Sequence, residues 1–158
     1  MLEMGQLRKQ ENYLFMGARI KPLLLSEETG GNFSVFEFTE VQGLEPPFHI
    51  HENEDEIWRV VEGEATFHLE NKRMDAGPGD TVFVPKGKLH TFRLKTKTMT
   101  AILSLTATDF ENIVSEIAVP AQSAEEIPTE PPTKEQLSKL LELGNKYGLT
   151  IPPPEHAG

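Results

Sequence analysis

Between about Leu14 and Leu105 the chain runs in short stretches rich in Val, Ile, Phe and Thr, each ended by turn formers: "ETGGN" at 28–32, "EPP" at 45–47, "ENKR" at 70–73, "AGPGD" at 76–80 and "PKGK" at 85–88. Turns recurring at roughly eight to twelve residues leave room for strands but not for the helices of βαβ units, so the pattern predicts an all-β sandwich or barrel. After Leu105 the period changes. "TDFENIVSEIAV" places Phe110, Ile113, Val114 and Ile117 on one helical face, with Thr108 or Asp109 as N-cap. Pro- and Glu-rich "PAQSAEEIPTEPP" reads as an extended surface connector. Thr133 and Gln136 then have capping-box spacing, Gly148 suits a left-handed C-cap, and Leu137, Leu140, Leu141, Gly144 and Tyr147 form a stripe that predicts a docking face rather than a ligand site. The expected division is an N-terminal segment (1–13), a barrel (14–106), a short helix (107–119), a connector (120–132), a C-terminal helix (133–148) and a tail (149–158).

Composition narrows the chemistry. The 158 residues include no cysteine, which removes disulfides, thiolate ligands and cysteine nucleophiles and leaves His, Asp and Glu as the strong candidate ligands. With 25 acidic against 15 basic residues the formal charge is −10, which disfavours nucleic acid and anionic membranes as partners. No apolar run approaches the length of a membrane span and no signal-peptide pattern opens the chain, so the expectation is a soluble, cytoplasmic protein.

The densest chemistry lies in "PPFHIHENEDEIW". On a strand, His49 and His51 leave the same face about 6.6 Å apart, close enough for two rings to converge on one ion. Two histidines on the polar face of an edge strand would look the same. Along "EIWRVVEG", Glu56, Trp58 and Val60 share a face, so Glu56 points with apolar neighbours, where a cation would offset the cost of a buried carboxylate. Glu52, Glu54 and Asp55 read as a solvated acidic turn. His90 shares a face with Phe92 and Leu94, whereas His68 shares one with Glu64, Thr66 and Glu70 and is expected to be exposed and inert; His156 has no evident partner.

Gly43, His49, His51, Glu56 and Gly63 fit G-x5-H-x-H-x4-E-x6-G, and Gly79, Pro85, Gly87 and His90 fit G-x5-P-x-G-x2-H. In these two motifs the chain resembles the cupin superfamily. Leu94 stands where the second motif commonly has asparagine. The resemblance implies a double-stranded β-helix, or jelly-roll, barrel over about residues 14–106, with C-terminal helices beyond it. It also implies one divalent transition metal ion (Fe, Mn, Ni, Co or Zn) held by His49, His51, Glu56 and His90. By layout the chain is further similar to single-domain cupins compared with quercetin 2,3-dioxygenase. That likeness implies a dioxygenase acting on a small aromatic or enolisable molecule, with Glu56 as the catalytic proton acceptor. The pocket walls would be Trp58, Val60, Phe92, Phe36 and Phe38. Two other readings compete: a non-catalytic metal- and ligand-binding protein or sensor, and a metal-assisted isomerase or hydrolase. A homodimer is expected by the same resemblance, with outward surface at Arg59 and on the two helices.

Overall fold

The computed structural model describes residues 6–153. Among them, seven strands form one antiparallel sheet: β1 (Tyr13–Phe15), β2 (Ala18–Leu24), β3 (Phe33–Val41), β5 (Glu56–Glu62), β8 (Thr81–Val84), β10 (Thr98–Thr106) and β11 (Val119–Pro120), in the spatial order β11-β1-β2-β3-β10-β5-β8. Facing it are β7 (Lys72–Ala76), β6 (Ala65–Leu69) and β9 (His90–Leu94), paired in that order, and the short pair β4 (Ile50–His51) and β12 (Leu149–Thr150). The sheets meet through aromatic side chains, with the Trp58 ring 5.3 Å from Phe92 and 6.0 Å from Phe67. This is a jelly-roll barrel, with helices C-terminal to it.

Alternation explains the layering. On β5 Glu56, Trp58 and Val60 are buried while Ile57 and Val61 are exposed, and on β10 Met99, Ala101, Leu103 and Leu105 point inward. Register then stacks rows across the sheet, so that Phe36, Leu103, Trp58 and Val82 lie side by side. Burying a side chain such as Phe36 contributes roughly 1.5–3 kcal/mol, and such rows supply the core. Gly63 turns β5 into β6 at φ +83°, where a Cβ would stand 2.4 Å from the Thr98 carbonyl oxygen, so only glycine closes this corner.

A single helical turn, α1 (Ser26–Thr29), takes in the first two residues of the "ETGGN" stretch. Helix α2 (Asp109–Ile117) buries Phe110, Ile113 and Val114, with Ile117 partly buried; Thr108 occupies the N-cap but its side chain makes no capping bond. Helix α3 (Lys134–Tyr147) has the full capping box of Thr133 and Gln136 and ends at left-handed Gly148. Its buried stripe differs from the predicted one. Leu140, Leu143 and Gly144 face inward, whereas Leu137 and Leu141 are 39% and 49% exposed, because α3 packs over α2 and β12 and that contact turns the helix toward Leu143. The connector begins with β11 paired to β1, and residues 149–150 form β12 beside His51. His156 lies outside the described residues.

Candidate metal centre

Backbone pairing brings the two motifs together. His49 and His90 form an antiparallel bridge, each N–H donating to the other's carbonyl at 3.0 Å, and their ring centroids lie 4.3 Å apart. The His51 carbonyl accepts from Gly87 N–H at 2.8 Å, and Leu149 on β12 pairs with His51. Thus the "PKGK" turn and the C-terminal arm both hold the His51 strand.

The rings are oriented from behind. His49 Nδ1 donates to the Pro47 carbonyl and His90 Nδ1 to the Lys88 carbonyl, each at 2.9 Å. A carbonyl only accepts, so each Nδ1 carries a proton and Nε2 is the ring nitrogen left to face the cluster. Glu56 Oε1 accepts the Trp58 indole N–H at 2.9 Å, which leaves Oε2 facing His90 Nε2 at 3.0 Å and His51 Nε2 at 3.2 Å. Yet Glu56 Oε2 and His90 Nε2 are buried atoms without an aligned hydrogen-bond partner among the described residues. They point at a shared space rather than at one another. One ligand atom from each of His49, His51, Glu56 and His90 lies within 4.8 Å of the others, a separation that one ion with bonds of about 2.1 Å can nearly span. Three imidazoles and one carboxylate, among them two buried atoms without a partner, fit a divalent cation.

The protonation of His49 and Glu56 agrees with that fit. Burial, reinforced by His90 and His51, pushes His49 down to about 3, so it is a neutral donor. For Glu56 burial pushes upward but is outweighed by the charge of His51 and the contact with His90, leaving the carboxyl well below the usual range. For His51 burial pushes downward and is outweighed by Glu56 and Glu54, so its net direction is up.

Glu54 overturns the reading of a solvated turn. It is 2% exposed, its Oε1 accepts the Phe110 N–H at 2.9 Å, and it lies 3.6 Å from His51 Nδ1. Glu54 therefore takes over the capping role that Thr108 leaves open on α2 and backs the His51 ring. The signal was present in the parity it shares with Glu56 and in the three-residue step from His51. Asp55 stays outside the cluster, its Oδ1 accepting from Lys86 N–H at 2.9 Å, and Glu52 is exposed. His68 is half-buried rather than exposed, with its ring 6.2 Å from Phe48, and does not join the cluster.

A cavity of about 170 Å³ opens beside His49, His51 and Glu56. Phe38, Trp58 and Phe92 stand on its wall. Phe36 and Val60 do not: Phe36 is packed behind Phe38 and Phe110, and Val60 is a short side chain buried in the core. Sequence reasoning missed Phe110, whose ring lies 5.5 Å from His51, and the contribution of α3 and β12, from which Leu137, Leu140 and Leu149 reach the wall. The α3 stripe is thus both a docking face and part of the cavity.

Fold and cluster together define a jelly-roll barrel with an interior candidate metal centre. Within that class, residues 36–106 match the family model described as a cupin domain. Among solved structures, a predicted oxalate decarboxylase from Thermotoga maritima is 19% identical, with a TM-score of 0.55 over 68% of this chain and 98% of that one. An RmlC-like cupin from Shewanella frigidimarina is also 19% identical, with a TM-score of 0.54 over 67% and 92%. KdgF from Halomonas sp. is 21% identical, with a TM-score of 0.52 over 58% and 79%. At these identities the likeness is one of fold. No curated protein matches the chain closely enough to count as a relative.

Proposed function

We propose that this chain is a metal-dependent cupin dioxygenase that binds one divalent transition metal ion through His49, His51, Glu56 and His90 and acts on a small aromatic or enolisable molecule. The observation that carries the reading is the convergence of four oriented donors in which Glu56 Oε2 and His90 Nε2 are buried without aligned partners. When bound, the ion would polarise a ligand oxygen and, if redox-active, pass electrons between ligand and dioxygen. The chain's own residues supply the rest. His49 and His90 are pinned by backbone carbonyls, so binding needs little rearrangement. Glu56 Oε2 would accept a proton from the ligand on coming free of the ion, while Trp58 holds Oε1. Phe38, Trp58 and Phe92 present apolar surface that excludes water and suits a planar ligand. The resemblance to quercetin 2,3-dioxygenase-like proteins supports the oxygen-dependent reaction; no sequence relative does.

The test is elemental analysis of protein purified without added metal, beside a His49→Ala, His51→Ala variant, followed by oxygen uptake with a flavonol or catechol. The expected result is about one redox-active ion per chain, lost in the variant, with uptake that Glu56→Gln abolishes. Equal metal content in the two proteins would remove the site. Zinc with oxygen-independent turnover would make it a Lewis-acid isomerase or hydrolase, and ligand binding without turnover a sensor.

The reading includes a cytoplasmic homodimer. Among the described residues no helix is long and apolar enough to cross a membrane. Ile57, Val61 and Phe83 are exposed on the outer face of β5 and β8, with Ile57 and Phe83 directly cross-strand, and supply the apolar surface for a second copy.

A further inference from the structure

The cavity holds a second acid for which the metal centre has no use. Glu40, on β3, is 4% exposed and stands on the cavity wall. It does not belong to the cluster: Glu56 is aligned through Leu105 with Ser34, and Glu40 lies six residues further along the same strand. Among the described residues no hydrogen-bond donor or cation acts on its carboxyl; what bears on it is its burial and the charge of Glu45. Glu45 shares the wall and is fixed as an acceptor, Oε1 taking the Gly43 N–H at 2.8 Å and Oε2 the Leu94 N–H at 2.9 Å. The nearby guanidinium of Arg19 is turned to Thr39 and the Glu126 carbonyl, and no lysine or arginine among the described residues lines the cavity. A carboxyl with no donor, on an apolar wall beside a second carboxylate, lacks its counterpart.

We propose that Glu40 and Glu45 form a subsite for the ammonium group of a small ligand whose apolar body lies against Phe38, Trp58 and Phe92. The proposal rests on the functional reading above in one respect, that this cavity is where the ligand sits. An ammonium brings both the hydrogen-bond donors that Glu40 lacks and the positive charge that two neighbouring acids favour. A hydroxyl brings a donor without the charge, and a carboxylate or phosphate at this end would be repelled. The aromatic walls add attraction for a cation that they would not offer to a neutral group. Burial, with Glu45 adding to it, pushes the Glu40 carboxyl up to about 8, so near neutral pH it keeps its proton until a bound cation takes that proton's place.

The full chain as purified is titrated calorimetrically with phenethylammonium and, as neutral isostere, with 2-phenylethanol, in the native sequence and in Glu40→Gln. The ammonium is expected to bind at least about tenfold more tightly than the alcohol, a difference of about 1.4 kcal/mol, and Glu40→Gln is expected to erase the preference. Equal affinities in the native chain, a preference that survives Glu40→Gln, or no amine binding at millimolar concentration would overturn the subsite. Elemental analysis of the same samples reads the metal separately, so an absent ion with the preference intact would count against the metal centre and not against this subsite.

Discussion

At the scale of single residues, two buried acids behave differently because of what surrounds them. Glu54 joins the N-terminus of α2 to His51, so Glu54→Ala leaves the Phe110 N–H unpaired and the His51 ring unsupported. The expected cost is about 1–3 kcal/mol in chemical denaturation, together with a roughly 10–100-fold loss of metal affinity. Glu54→Gln keeps a carbonyl for Phe110 and should recover most of the stability but not the affinity, which metal titration of the two variants would separate. Glu40 governs a pH dependence instead. Its carboxyl ionises near 4.5 when unfolded and is pushed up to about 8 in the fold by burial and then by Glu45. A raised folded value means that its contribution is complete below about pH 4.5 and is lost as pH rises through about 8. Glu40→Gln has no such loss. Its melting temperature should therefore pull ahead of the native chain's across that window and hold a constant lead above it, and parallel melting curves at every pH would contradict the assignment.

At the scale of elements, α3 and β12 act as one unit with the His51 strand. A Cβ on Gly144 would stand 2.3 Å from the Leu149 carbonyl oxygen, which is backbone and cannot move aside cheaply. Gly144→Ala is expected to destabilise the chain by about 1–3 kcal/mol and to loosen β12 from β4, read as faster amide exchange at Leu149 and His51. The strands were legible because each has one buried face: parity alone put Glu56 beside Trp58, and the motif glycines Gly63, Gly79 and Gly87 sit at turns with positive φ. The four-residue cluster was legible through motif spacing, which encodes the turn lengths between the strands that carry it. Glu54 and Glu40 were not recognised, although the parity argument applied to Glu56 extends to both. Glu54 lay in a run of acids that masked its neighbour across the fold, and Glu40 had no motif to draw attention to it. The α3 face was misplaced by a fraction of a turn because periodicity fixes a stripe's width, while packing on α2 selects its centre.

At the scale of the whole molecule, a net charge of −10 sets two copies against each other at long range, so the proposed dimer would need an apolar contact such as the face of β5 and β8. Sedimentation should show a dimer that tightens as salt is added. An Ile57→Lys, Phe83→Lys variant should be monomeric with unchanged circular dichroism and metal content, and a native chain monomeric at every salt concentration would end this part of the reading. The pairing of β12 with β4 has an effect in time as well as in space. The side chain of Thr150 meets Glu52 across 98 residues of sequence, so the second histidine's strand waits for nearly a hundred later residues before it gains its neighbour. The barrel strands can pair with one another before that arm exists, so the support that β12 gives the His51 strand is among the last of these contacts to form.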